Sequence, residues 1–270
     1  MNTNNNSYII IYSAALVIVV AFLLAFIFQA LKPMQDVNVA LDKKKQILAA
    51  LNIRDLGDNE SADMYKKVVK ADMIVDANAN VIDAGEQGGE NAAFKLNSAD
   101  YKAGKLAVYE CEVDGKKKYV IPVYGMGLWG PIWGYIAFEE DLTTIASAYF
   151  DHDSETAGLG ARIKDDPDFQ HEFNGEKADF ALTRIFEIVK GGAPKEADGK
   201  TSVIDNKIDA ITGATMTCKG LDEAINTWLG AYKAYFGKNA STSSCCGESA
   251  QDCGKCTEGC DEAENNCGEE

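Results

Sequence analysis

The chain has 270 residues, 46% of them hydrophobic and 25% charged, which is the balance of an ordinary folded protein and excludes global disorder. Its formal net charge of −16 excludes a nucleic-acid partner, since a phosphate backbone needs a basic face. Much of that charge is at one end: from Ser241 onward there are eight acidic residues against one lysine, a balance of −7.

Residues 2–6 are polar, and from Ser7 to Leu31 no charged residue occurs. About 20 apolar residues cross a bilayer as a helix, so residues 7–31 are expected to form a single transmembrane span. The competing reading is a cleaved signal peptide. Such a peptide has a basic start, a shorter apolar core of roughly 7–15 residues and a small-residue cleavage site. Here no Lys or Arg precedes the run, and Gln29-Ala30-Leu31-Lys32-Pro33 is a poor cleavage site, so an uncleaved anchor is expected. The lysines near the span, Lys32, Lys43, Lys44 and Lys45, all follow it, and by the positive-inside rule they point to a cytoplasmic C-terminal side.

Beyond the span, Val37, Ala40, Leu41, Ile47, Leu48 and Leu51 recur at helical spacing and predict a juxtamembrane helix, with residues 32–104 forming it and the first part of a soluble domain. Asp76-Ala77-Asn78-Ala79-Asn80 is turn chemistry between two apolar runs and predicts a hairpin, and Gly85–Asn91 predicts a polar loop. Leu106–Val113, Tyr119–Tyr124, Gly134–Phe138, Thr144–Phe150 and Phe180–Lys190 are rich in β-branched and aromatic residues and predict strands. Leu221, Ala224, Ile225, Trp228, Leu229, Tyr232, Tyr235 and Phe236 mark one face of an amphipathic helix, with Gly237 as its stop. Strands closed by a helix define an α+β class, with an antiparallel sheet and packed helices over residues 105–239.

The chemistry concentrates just before that helix. In Asp209-Ala210-Ile211-Thr212-Gly213-Ala214-Thr215-Met216-Thr217, a turn of small and hydroxyl residues opens onto a helix start, whose free N–H groups and dipole accept phosphate. The same residues would serve equally as a plain helix cap without any ligand.

This segment resembles the flavinylation signature of the covalent FMN-binding domain family, in which the FMN phosphate is esterified to a threonine. The resemblance implies attachment at Thr215, with Thr217 as the alternative, around Thr212, Gly213 and Ala214. The leading Asp209 is similar to the element that a flavin transferase reads. Glu155-Thr156-Ala157-Gly158-Leu159-Gly160 is similar to the Glu-Thr-Pro-Gly-Leu-Gly loop that lies over the flavin in that family, with Ala157 in place of Pro. Gly125-Met126-Gly127-Leu128-Trp129 resembles the family's Gly-x-Gly-Leu-Trp turn; it reads equally as a tight strand connection with Trp129 and Trp133 as core aromatics. His152, near Glu155, is either an exposed loop histidine or a neighbour of the flavin.

Within this class, Leu31-Lys32-Pro33-x-Gln35-Asp36 and Leu41-Asp42-Lys43-Lys44-Lys45-x-Ile47-Leu48 resemble the juxtamembrane region of the C-subunit family of sodium-translocating NADH:quinone reductases. The G subunits of Rnf ferredoxin:NAD complexes share the flavin motif but not this region. The resemblance implies a bacterial inner-membrane protein with a periplasmic domain, against the lysine asymmetry. It also implies a one-electron relay through covalent FMN, from a membrane-embedded iron centre to a flavin in the B subunit, with the B, D and E subunits as partners.

Residues 240–270 depart from the family. Of the eight cysteines only Cys111 and Cys218 lie in the body, while Cys245, Cys246, Cys253, Cys256, Cys260 and Cys267 crowd this acidic segment. It lacks large apolar side chains and is expected to be disordered unless disulfides or a metal order it. Cys253, Cys256 and Cys260 have ligand-like spacing, so the readings are disulfides, metal binding or a redox role, and a membrane-tethered thiol module is the alternative function.

Overall fold

A computed structural model describes residues 6–191 and 204–245, with side chains described as far as Asn239 apart from Ser7. Its longest element is α1, Asn6–Ala50, a single helix that joins the apolar span to the predicted juxtamembrane helix. At ~1.5 Å per residue it is roughly 68 Å long. Pro33 lies inside it and cannot donate to the carbonyl one turn back. α1 is the one helix among the described residues long and apolar enough to cross a membrane, and the apolar stretch is not buried by the protein.

The body is a six-stranded antiparallel sheet in the order β2-β1-β3-β4-β5-β6. The strands are β1 (Val69–Val75), β2 (Val81–Asp83), β3 (Leu106–Val113), β4 (Lys116–Met126), β5 (Pro131–Glu139) and β6 (Ile145–His152). The predicted hairpin joins β1 and β2, where the Asp76 carboxylate accepts the backbone N–H of Asn78 and of Asn80, each at 2.8 Å. Asp114 and Gly115 turn β3 into β4 with φ of 52° and 76°, the positive values that match the twist of paired strands.

Side chains alternate along the strands, and each sheet face has its own core. On one face Val108, Ile121, Val123, Ile136 and Phe138 pack against Leu221, Ile225, Leu229, Tyr232 and Phe236 of the C-terminal helix α6 (Thr215–Cys245). On the other, Ala107, Tyr109, Cys111, Val120 and Tyr135 pack against Tyr65 and Val68 of α2 (Asp58–Val68) and against Ile47, Leu48, Ala50 and Leu51. The last turns of the apolar helix are therefore part of the domain's core. Lysines beside them hold the glycine-rich loop: Lys44 pairs with Glu90 at 2.7 Å. The buried Asp72 carboxylate collects the N–H groups of Glu86, Ala92 and Phe94. Burial pushes the Lys43 ammonium down to about 8, with Asp72 opposing the fall.

Two expectations need correction. Phe180–Lys190 is not one strand; only Glu187–Val189 is (β7), paired in parallel with Lys207–Asp209 (β8). The N–H groups of Ile185 and Phe186 bond instead to the Asn226 side chain at 2.8 and 3.2 Å, and that of Ile188 bonds to Asp222 at 2.9 Å. Just before β7 the segment is thus strapped to α6 rather than paired with a strand. Gly237 does not stop α6, which continues to Cys245. Nothing lies within 4 Å of a side chain at Gly237, and its φ is not among the positive values, so no left-handed cap forms there.

Leu48 is 1% exposed and Val37 is 67% exposed on the same helix. Leu48→Ala is expected to destabilise the domain by about 2–5 kcal/mol, and Val37→Ala by less than about 0.5 kcal/mol, in urea unfolding of the detergent-solubilised chain followed by tryptophan fluorescence.

Candidate functional site

α6 approaches β4 so closely that a Cβ on Gly220 would come within 2.1 Å of the Met126 carbonyl oxygen. This contact sets the first turn of the helix beside the turn that leaves β4. The turn is closed by the Gly127 N–H donating to the Gly130 carbonyl at 2.8 Å, and the chain then re-enters the sheet at Pro131. From the neighbouring strand β6, residues 153–161 form a compact loop. The Thr156 carbonyl accepts the N–H groups of Leu159 and Ala161, both at 3.1 Å.

These three segments meet at one carboxylate. Glu155 Oε1 accepts the Trp129 N–H at 2.8 Å, and Oε2 accepts the Thr217 hydroxyl at 2.6 Å. The Glu155 N–H donates to His152 Nδ1 at 3.3 Å, so His152 holds the loop's base. Glu155 is 8% exposed and Thr217 is 2% exposed. Burial alone would raise the Glu155 carboxyl. The Thr217 hydroxyl and the N–H groups of Trp129, Leu128 and Gly130 outweigh it and hold the group below the usual carboxylate range. The 2.6 Å O–H···O⁻ distance is that of a charge-assisted bond. A Cβ at Gly160 would fall 2.3 Å from Glu155 Oε2 and 2.5 Å from Thr217 Oγ1, so only glycine lets this loop close over the pair.

The result is a cleft of about 140 Å³ lined by Leu128, Glu155, Thr156, Leu159, Gly160 and Gly213 to Thr217. Thr215 is the first residue of α6 and is exposed, whereas Thr217 is buried with its hydroxyl committed to Glu155. Gly213 has φ of +87°, which lets the chain reverse into the helix. The first-turn N–H groups of a helix have no intrahelical acceptor and suit a phosphate. Their presence beside an exposed threonine hydroxyl and a small-residue opening fits the phosphate end of FMN.

Thr212, Gly213, Ala214, Thr215 and Thr217 form the helix start, but the cleft takes only the last four of them. Asp209 and Thr212 line an adjoining depression with Arg162, Asp166, Asp168 and Glu172, and the Asp209 N–H donates to Glu172 at 2.9 Å. Gly158 provides a positive φ of 75° in the loop without lining the cleft. Trp129 touches the site through its backbone; its side chain is 68% exposed, so it is no core aromatic. Trp133 is half-buried and donates to Gln46 of α1 at 3.1 Å. Met216, exposed at the cleft, was not expected, and its variable place in the motif carries no signal. Leu128 could have been found, since it stands in the Gly-Leu-Trp turn. Cys253, Cys256 and Cys260 lie outside the described residues, and among those described no cluster of His, Cys, Asp and Glu could hold a metal.

Residues 127–230, which span the turn, the loop and the helix start, match the model of the FMN-binding domain family. A curated Pseudomonas aeruginosa protein, the C subunit of the Na(+)-translocating NADH-quinone reductase, is 30% identical over 230 residues, covering 74% of this chain and 82% of that one. The Chlamydia trachomatis protein of the same name is 38% identical over 153 residues, a match that spans only 45% of its length. The crystal structure of the Parabacteroides distasonis C subunit superposes with a TM-score of 0.65 at 32% identity, covering 76% of this chain and 96% of that one. The fold and cleft thus define an FMN-binding domain carried behind an apolar helix. Within that class, the chain belongs to the C-subunit family of Na(+)-translocating NADH-quinone reductases.

A carboxyl held low in the folded protein stabilises the fold when ionised. That contribution is complete above the ordinary value of 4.5 and is lost as pH falls through the lowered one. Wild-type stability is therefore expected to decline below about pH 4.5 more steeply than that of Glu155→Gln, measured as urea midpoints between pH 7 and 3.

Proposed function

We propose that this protein is the flavin-carrying electron-transfer subunit of a sodium-pumping NADH:quinone oxidoreductase, with FMN esterified through its phosphate to Thr215. The observation that carries the site is the contrast between two hydroxyls at one helix start. Thr215 is exposed on the cleft, while Thr217 is buried and already donates to Glu155. Residues two apart on a helix point about 200° away from each other, so the burial of one supports the exposure of the other. Bound FMN would supply one-electron transfer, and the protein's part is to fix its position and surroundings.

Each group then has a role. The first turn of α6 receives the phosphate, Gly213 and Ala214 keep its approach open, and Glu155 ties the loop 156–160 and the Trp129 turn to Thr217. A cleft of about 140 Å³ is smaller than the ~300 Å³ at which small-molecule pockets begin. The flavin ring would therefore lie at the surface beside Leu128, Trp129 and Met216, where a partner can approach it. Asp209, on the adjoining surface, is the element offered to the flavin transferase.

Electrons would come from a membrane-embedded iron centre and leave for a flavin in the B subunit, with the D and E subunits as the other neighbours. NADH oxidation, quinone reduction and sodium translocation belong to the assembly, which makes the chain part of a translocase. The resemblance favours this over the G subunit of an Rnf complex, because the juxtamembrane segment also matches. The helix α1 supports an uncleaved single-pass anchor, because its last turns lie in the core and a cut near Ala30 would sever a continuous helix. The domain is read as periplasmic on a bacterial inner membrane.

Two experiments test this. Intact mass after co-expression with a flavin transferase should show an FMN-sized increment that Thr215→Ala abolishes and Thr217→Val retains; loss only in Thr217→Val would move the ester by two residues. Orientation follows from an impermeant thiol reagent applied, after reduction, to cells with a permeabilised outer membrane. The Cys245–Cys267 thiols should label, and labelling only after the inner membrane is broken would place the domain in the cytoplasm.

A further inference from the structure

A cavity near the end of α1 is unconnected with the flavin cleft. It encloses about 360 Å³ between the last turns of α1, the loop after them, β6 and the loop helix carrying Lys164. Lys45, Gln46, Arg54, Tyr149, Asp151 and Lys164 line it, with Asp42 and Asp55 alongside. Most of these groups are satisfied. Lys45 pairs with Asp58 at 2.6 Å. Asp151 is neutralised by Lys164 at 2.9 Å and receives Gln46 at 3.3 Å and the Tyr149 hydroxyl at 3.4 Å.

Arg54 is the exception. Its Nε and Nη2 are sealed from water and have no hydrogen-bond acceptor. These two nitrogens form the edge of the guanidinium that grips a carboxylate or phosphate by two parallel bonds. Leaving a buried donor unpaired costs about 1–3 kcal/mol, and here two are left beside an open cavity. Asn52 and Asp55, on either side of Arg54, both have φ of 61°, and Asn52 is pinned by the Ser147 hydroxyl at 2.9 Å. At Asn52 that conformation ends α1, with the Ile53 N–H returning to the Leu48 carbonyl at 2.9 Å and the Asn52 N–H to Ala49 at 3.0 Å, which fixes where Arg54 leaves the helix.

We propose that this cavity binds a small oxyanion, phosphate or a ligand bearing a phosphoryl group, on the Nε/Nη2 edge of Arg54 after a side-chain rotation turns that edge into the cavity. Lys45 and Lys164 flank the site, but they are already paired with Asp58 and Asp151, and Asp42 and Asp55 add negative charge, so capture depends on the paired directed bonds rather than on net attraction. Distance separates the two sources of such a group. Lys45 lies fourteen residues beyond Leu31, about 21 Å along a straight helix, whereas the headgroup layer is roughly 5–8 Å deep. A soluble phosphate therefore reaches Arg54 and a lipid headgroup does not.

The test uses the full chain in detergent, titrated with inorganic phosphate against chloride at matched ionic strength and read by calorimetry and by Tm. Saturable binding is expected, with a Tm rise that chloride does not reproduce. Arg54→Lys keeps the charge and loses the paired edge, and is expected to weaken binding about tenfold or more. Arg54→Gln, which removes the charge together with the paired edge, should abolish the response, and the calorimetric titration keeps the result readable if either substitution lowers the basal Tm. No binding by the wild type, or equal binding by wild type and both variants, overturns the site. In a parallel arm, nanodiscs of phosphatidylglycerol replace detergent. Protection there without any response to phosphate would overturn the soluble source.

Discussion

Glu155 is the constraint on which the functional end of the domain depends. Its two oxygens bind groups that belong to different segments, the Trp129 N–H from the turn after β4 and the Thr217 hydroxyl from α6. The loop that bears Glu155 comes from β6, so one carboxylate ties together parts of the chain separated by 26 and 62 positions. A tight loop, an exposed turn and an open helix start become one rigid cleft because a single buried charge is shared among them. Each of its hydrogen bonds to a charged group is worth about 1.5–3 kcal/mol, which exceeds what a few half-exposed apolar contacts would offer.

The sheet provides the frame that makes this possible. Strict alternation along β3, β4 and β5 divides the core into two layers, one under α6 and one under the end of α1 and α2. The first layer fixes α6 through Leu221, Ile225, Leu229 and Tyr232, and the close approach at Gly220 then determines where Thr215 must stand. The second layer fixes the anchor. The cleft and the apolar helix are thus tied to opposite faces of one sheet, connected by strands rather than by a linker.

Much of this was legible in the residues. Leu106–Val113 matches β3 residue for residue, the Asp76–Asn80 hairpin is present, and the apolar face read from Leu221 to Phe236 is the buried face of α6. Local periodicity suffices for such elements because their partners are generic. It fails where a distant side chain decides the outcome. Ile185 and Phe186 read as strand residues, yet Asn226 takes their N–H groups, and nothing near residue 185 announces that. Spacing also could not tell that Thr215 would be exposed and Thr217 buried, since that depends on what packs over the helix start. Glu155 was visible as a loop residue but not as the meeting point of three segments, because that role needs three dimensions.

The continuity of α1 has a mechanical consequence. A helix that begins among the apolar residues and ends as part of the core joins the two without a linker, and bending between them falls to Pro33, where one backbone hydrogen bond is missing. The protein behaves as a lever. A tilt of roughly 10° in the bilayer, within the ordinary range for membrane helices, would displace the far end of α1 by several ångströms and carry the cleft with it. Bilayer thickness and the packing of neighbouring helices would therefore set the height and bearing of the cleft directly. An electron partner would meet it at a fixed station rather than wait for a mobile arm to arrive.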